Sequence, residues 1–355
     1  VSIARNTLYG LASAGVQIVT TLITVPIYLP TIGADRFGVL VIVWVLLGYF
    51  GFTNLGTGAA ATHRIAAARD AEPIERQRIF WTSLWVSLGL GMVGALVLAG
   101  AAWVAIGWIR FGNDSLRAEF VDAIPLIAFL LPVTAVRGVV AGALQGVERF
   151  LALSVIGTLA VVLSSVLPLF IALAFSTEIG WLLFGVLVAN VIAFILSYII
   201  CRRALPLSGL SRPDRPLIGS LLRFGGWVTV SGVVGPLMVT FDRIIIGSMA
   251  SAAAVAHYSV PNDLLQRLWI IPGSLTSALF PRLSAILKNS DRLELGDDAL
   301  KWLAFIMTPL SLLALAVVEP FLIVWLGRDF AAQASDVAHI FLFGIWINSL
   351  ARIPA

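Results

Sequence analysis

Ten long apolar runs, separated by short polar connections, dominate the chain. They cover residues 7–29, 37–58, 79–107, 123–144, 151–175, 180–200, 220–249, 255–280, 299–326 and 335–353. A bilayer core of about 30 Å is crossed by about 20 apolar residues in a helix, so each run is long enough to span it. Pro132, Pro168, Pro236 and Pro272 fall inside runs. They predict kinks rather than ends, because membrane helices re-satisfy the freed backbone groups through their neighbours. No stretch alternates apolar and polar residues in the manner of a barrel strand. The pattern predicts an all-α, polytopic transmembrane helical bundle. The first run lacks a small-residue cleavage site and the second follows at once, so it reads as a retained span.

Composition closes off the alternatives. Of 355 residues, 59% are hydrophobic and 12% charged, against about 45–50% and about 25% in soluble domains. A water-soluble globule is excluded, and so is a disordered chain, which lacks apolar residues. Cys201 is the single cysteine, so no intrachain disulfide forms. The net charge of +4 would suggest nucleic acid in a soluble protein. Here the basic residues sit in short loops beside apolar runs, which points to anionic lipid heads and not to nucleic acid. With the N-terminus cytoplasmic, the cytoplasmic loops hold fifteen basic residues, and the far side holds Arg36, Arg110, Arg117 and Arg328. The positive-inside rule therefore predicts that both ends face the cytoplasm. The chain opens on Val1 rather than Met, which reads as a fragment.

The longest polar connections, 204–219 and 282–298, have fewer than 20 residues and cannot fold as domains. Whatever the protein does is done within or between its helices. On the far side Asp114, Glu119, Asp122, Glu178 and Asp329 are scattered over three loops and form no paired-carboxylate site. His63, His257 and His339 lack metal-ligand spacing, and no P-loop or other cofactor motif is present. The expectation is a protein that is not an enzyme and carries no cofactor or metal. A shift of 218 residues places Arg5 on Arg223, Arg64 on Arg282, and 37–40 on 255–258. This predicts two parallel pseudo-repeats: a six-span lobe over 1–205 and an incomplete second lobe over 206–355, with about two further spans beyond Ala355. Two such halves around a cavity form a transporter arrangement.

Polar residues inside the spans are costly and mark candidate sites. Asn6, Gly10, Ser13, Gln17, Thr21, Thr24 and Tyr28 recur three or four residues apart on one face of the first span. That face either lines a cavity or makes a tight helix contact. Arg137 lies about 12 Å from the end of the fourth span and Arg267 deeper still in the eighth. Arg267 follows Asp263 by four residues in the favourable order. Both cations are read either as substrate-facing or as internal structural charges. Asp242, Arg243 and Glu319 lie close to span ends, where a structural role is the simpler reading. The deep charges leave a mildly cationic interior, suited to an anionic passenger.

The stretch Phe241-Asp242-Arg243-Ile244-Ile245-Ile246-Gly247, then Val255-Ala256-His257-Tyr258-Ser259 and Leu279-Phe280-Pro281-Arg282-Leu283, resembles the central signature of bacterial polysaccharide (O-antigen type) flippases. These belong to the multidrug/oligosaccharidyl-lipid/polysaccharide exporter superfamily. Arg5-Asn6-Thr7, Phe37-Gly38, Leu144-Gln145-Gly146 and Leu326-Gly327-Arg328-Asp329-Phe330 are similar to further family positions. The resemblance implies a bacterial inner-membrane flippase that carries undecaprenyl-pyrophosphate-linked oligosaccharide from the cytoplasmic to the periplasmic leaflet. Other polysaccharide-assembly membrane proteins are its expected neighbours. Arg137 and Arg267 would then attract the pyrophosphate. Gln17, Thr21 and Thr24, with Asn262 and Gln266, would contact sugar or water. Asp242 and Arg243 match the family signature. Two alternatives stand beside it. One is a multidrug or cation antiporter of the same superfamily. The other is a membrane glycosyltransferase, polymerase or ligase acting on the same carrier.

Overall fold

The computed structural model describes residues 3–69, 72–205, 207, 209–269, 272–273 and 289–351, without side-chain detail at 3–8, 11, 48–55, 224, 227–240 and 289–296. Every regular element among them is helical. The helices are α1 (Ile3–Ala67), α2 (Pro73–Ile106), α3 (Asp114–Gly146), α4 (Phe150–Ala174), α5 (Ile179–Ala204), α6 (Arg215–Met249) and α7 (Ala252–Leu265). A 3₁₀ turn at Gln266–Trp269 follows, and then α8 (Asn289–Leu326) and α9 (Arg328–Leu350). Nine of the ten expected spans lie on these α-helices to within a few residues; the eighth starts on α7 and the 3₁₀ turn, and its positions 270–271 and 274–280, like Arg282 beyond it, lie outside the described residues. Among the described residues seven helical stretches are long and apolar enough to cross a membrane. The chain is a multi-pass membrane protein.

The first two spans share α1, broken at Gly33 (φ 82°, ψ 158°). That conformation is open to glycine and strained for residues with a Cβ. The bend brings Tyr28 and Phe37 to 6.2 Å between ring centroids. A continuous helix would separate them by about 13 Å along its axis.

The chain forms two compact units, Val1–Ala254 and Val255–Ala355. In the first, the connections alternate between two ends, as spans that go up and down require. At one end Arg36 grips Glu119 at the start of α3, and Glu119 also accepts the Ile179 N–H at the start of α5. At the same end the Arg110 N–H donates to the Gly247 carbonyl, and the Arg110 carbonyl accepts from the Ala252 N–H. At the other, arginine-rich end, Ile65, Arg69, Arg76, 146–149 and Ala204 surround one pocket. The connection after α5 runs back along α2, where Gln77, Thr82 and Trp85 hydrogen-bond the backbone of Gly209, Asp214 and Ser211.

Small residues set the packing of α1, α2 and α3. Gly138, Gly142 and Gly146 recur every four residues on α3, a spacing that lets membrane helices approach closely. The backbone of Gly142 meets Gly58 on α1, and Thr62 Oγ1 donates to the Gly142 carbonyl at 3.0 Å. A Cβ on Gly91 of α2 would stand 2.8 Å from the Pro132 Cα on α3. Outward residues such as Leu96, Val104, Phe170 and Leu173 remain exposed, as lipid-facing positions do.

In the second unit, α8 and α9 pack through an apolar stripe. Leu303, Met307 and Leu322 face Ala334, Ala338 and Leu342, all buried. His257 and Tyr258 on α7 meet Phe330 and Phe341 on α9 at ring distances of 4.6 and 5.0 Å.

Candidate functional site

Arg137 stands on α3 nine residues before Gly146, about 14 Å from the arginine-rich end. It is half-buried. Among the described residues its guanidinium makes no hydrogen bond or ion pair. The helix that carries it is pinned on both sides of it. Pro132 and Ala135 lie against Gly91, and a Cβ on Gly58 would stand 2.9 Å from the Gly138 carbonyl. Buried hydroxyls add a relay at the same level. Thr57 Oγ1 donates to Ser87 Oγ at 3.0 Å, and Ser87 Oγ donates to the Ala135 carbonyl at 3.0 Å. The result is a cation within a span on a rigid mount, with five N–H donors and no acceptor among the described residues.

The polar face of the first span divides. Thr158 on α4 donates to the Ser154 carbonyl at 2.7 Å. Its hydroxyl hydrogen is therefore spent, so Ser13 is the donor in the 2.5 Å Ser13–Thr158 contact. Ser13 in turn accepts from Gln17 Nε2 at 3.2 Å. This end of the face is a helix contact, one of the two readings the sequence left open. Thr21 and Thr24 bond back to the carbonyls of Gln17 and Thr20 at 3.0 and 2.8 Å. Beside the Ser13–Thr158 contact an apolar groove of about 410 Å³ runs between α1 and α4, lined by Val16, Leu151, Val155, Leu159 and Val162.

In the second unit Ser259, Asn262 and Gln266 lie three and four residues apart, on one face of α7 and its continuation. Gln266 Nε2 donates to Asn262 Oδ1 at 3.0 Å. Ser259 Oγ is buried and has no partner among the described residues. Asp263 and Arg267 are both exposed. The α-helix stops at Leu265, so Arg267 sits on the 3₁₀ turn. Asp263 and Arg267 make no ion pair with each other, although Gln266 still reaches Asn262 four residues back across the same boundary. Arg267 makes no ion pair among the described residues. In the signature pair, Asp242 Oδ1 accepts its neighbour's backbone N–H, that of Arg243, at 2.7 Å.

The model of the family described as polysaccharide biosynthesis protein matches residues 3–287. The chain belongs to that family. A Shigella flexneri relative named "Putative O-antigen transporter" is 26% identical over 353 residues, covering 99% of this chain and 84% of its own length. The fold is also that of solved transporters. The lipid II flippase MurJ, in an inward closed conformation, superposes with a TM-score of 0.71 at 10% identity, covering 98% of this chain and 74% of MurJ. An inward-facing multidrug resistance transporter of the MATE family, MOP superfamily, gives 0.67 at 14% identity, covering 98% of this chain and 80% of its own.

Two parts of this family member's sites escape a reading of the spans one at a time. Thr158 is one; its spacing from Ser154, one helical turn, is the signal that marks it. The other is the convergence of Arg69, Arg76 and Arg149 on one pocket from three separate stretches of chain. Adding up loop charges registers their sign and not their meeting.

Proposed function

We propose that this protein is a flippase that moves lipid-linked oligosaccharide from the cytoplasmic to the periplasmic leaflet of the bacterial inner membrane by alternating access. Arg137 carries the reading: a rigidly mounted guanidinium within a span, without a partner among the described residues, suits a pyrophosphate and repels a cationic drug. Family membership, the O-antigen transporter named among its relatives and the shared fold with a lipid II flippase support it.

In this proposal Arg137 and Arg267 attract the pyrophosphate. Asn262 and Gln266, with the Ser259 hydroxyl, offer donors and acceptors to sugar hydroxyls or water. Thr21, Thr24 and the remaining amide groups of Gln17 are the first-span contribution. The apolar α1–α4 groove suits the isoprenoid tail better than it suits sugar. The moving bodies are the lobes 1–205 and 206–355, with the N-terminus cytoplasmic and the arginine-rich loops against anionic lipid. Asp242 and Arg243 are kept as a signature pair near a helix end and given no substrate contact. The alternative, a cation antiporter, needs a carboxylate free to bind cargo or protons, and Glu119, held by Arg36, is not one.

The test is complementation of a strain that lacks its own O-antigen flippase, with the lipid-linked intermediate followed across the membrane. The expected result is export with the native chain and a stalled intermediate with Arg137→Gln inserted at equal level. Normal export with Arg137→Gln, or no export with the native chain correctly inserted, would overturn the proposal.

A further inference from the structure

The arginine-rich end of the first unit carries a small polar pocket of about 190 Å³, lined by Ile65, Arg69, Arg76, Glu148, Arg149 and Ala204 with the backbone of Gly146 and Val147. Three guanidinium groups face one carboxylate in this lining. Arg69 Nη1 meets Glu148 Oε1 at 3.4 Å, a long contact between side chains that are 74% and 52% exposed, so it holds neither group firmly. Arg76 Nε is buried and has no acceptor among the described residues. Arg149 makes no side-chain bond among them either. A buried N–H without an acceptor leaves its desolvation uncompensated, so the pocket is incomplete as a structural cluster and gains from an incoming oxyanion.

The backbone beneath the pocket is fixed. The Arg149 N–H donates to the Leu144 carbonyl at 2.9 Å and the Glu148 N–H to the Gln145 carbonyl at 3.0 Å. This paired pattern closes α3 with Glu148 in the left-handed region, φ 58°. Glycine is the usual occupant there. Glutamate at this position places a carboxylate among the arginines in a conformation unfavourable to a residue with a Cβ.

We infer that this pocket binds the phosphate of an anionic membrane phospholipid, with Arg76, Arg149 and Arg69 as donors and Glu148 as a built-in competitor for Arg69. The inference rests on the proposed orientation, which sets this end in the anionic cytoplasmic leaflet. Its site is separate from Arg137. The pocket lies where α1, α3 and α5 end and α2 and α4 begin, at the depth of lipid headgroups. Guanidinium groups match phosphate oxygens in forked geometry. A phosphatidylcholine head would bring its own cation against three arginines, whereas phosphatidylglycerol brings none. The choice of an anionic over a zwitterionic lipid follows from that difference.

The experiment is native mass spectrometry of the whole purified chain, equilibrated with phosphatidylglycerol and phosphatidylcholine of matched acyl chains. The native protein should retain phosphatidylglycerol in preference. Arg149→Gln and Arg76→Gln should each weaken retention about tenfold, the loss of one charge-assisted contact. Glu148→Gln should strengthen it about threefold by releasing Arg69, and Arg328→Gln should leave it unchanged. Arg149 is exposed and bonded to nothing through its side chain among the described residues, so its variant decides the matter even where Arg76→Gln fails to fold. Equal retention by Arg149→Gln and the native chain would overturn the inference. So would displacement of the lipid by millimolar inorganic phosphate, which would make this a free-anion site. Preference for a polyprenyl pyrophosphate, lost in Arg149→Gln, would make it a substrate entry and overturn it too. The readout involves no transport, so it can fail while the flippase reading stands, and the reverse.

Discussion

Replacing Arg137 with methionine separates a working cation from a structural one. The insertion cost of an arginine at the centre of a membrane helix is about 2.5–3.5 kcal/mol, less toward the ends. Arg137 is half-buried and about 14 Å from the end of α3. Among the described residues it has no hydrogen bond or ion pair to lose. Methionine at this position should therefore stabilise the folded protein by about 1–2 kcal/mol. The same change removes a charged contact to the proposed pyrophosphate, worth about 1.5–3 kcal/mol. Transport should accordingly fall by about 10- to 150-fold. Arg137→Lys keeps the charge but loses the planar fork, so it should fall between the two. Melting in one detergent, alongside export in the complemented strain, reads both quantities. Lower stability than the native chain would show that Arg137 holds the fold. Unaltered export with raised stability would show that it serves neither purpose.

Three further outcomes follow from the packing of the first unit. Glu119→Gln keeps the shape but discharges the forked pair with Arg36, whose contacts are 2.6 and 3.0 Å; it should cost about 1–2 kcal/mol, and a double-mutant cycle with Arg36→Gln giving no coupling would refute the clamp. Gly142→Leu forces a side chain into the Gly58 backbone and should cost about 1–3 kcal/mol or abolish folding; native-like melting would mean that α1 and α3 are further apart than described. Cysteine placed at Thr21 should react with a water-soluble maleimide while cysteine at Ser13, which Thr158 covers, should not; equal labelling would undo the division of the first-span face.

The spans were legible because bilayer thickness fixes helix length. Even the bend at Gly33 follows from the gap between two apolar runs, although both runs lie on α1. What one-dimensional pattern could not supply was the partner of each face. The first-span polar stripe has the same spacing whether it borders water or another helix. Only Thr158, 145 residues away in sequence, makes its Ser13 end a contact. The eighth span differs again: the spacing of Asp263 and Arg267 says nothing of the change from α-helix to a 3₁₀ turn at Gln266–Trp269. Pro261 within α7 and Pro272 after the turn were the available warning. Arg137 was legible as costly, but its lack of a partner is a property of three neighbouring helices and not of its own.

The first unit holds itself together differently at its two ends. At one end, forked charge pairing and backbone bonds tie α1, α3, α5 and the α6–α7 connection together. In the interior, glycine contacts and the Thr57–Ser87 relay fix α1 against α2 and α3. At the arginine-rich end Gln77, Thr82 and Trp85 bond the connection after α5, and Ile65, Ile79, Phe80, Leu144 and Leu205 share a buried cluster, while the pocket rim carries a long, exposed ion pair and a guanidinium unsatisfied among the described residues. Internal contacts thus hold Arg137 in place, and only the pocket rim at the proposed anionic leaflet is left for a ligand to complete. If a phospholipid completes that end, lipid composition should alter the stability of the first unit through Arg76 and Arg149. The charge at Arg137, fixed by the interior contacts, should then be indifferent to it.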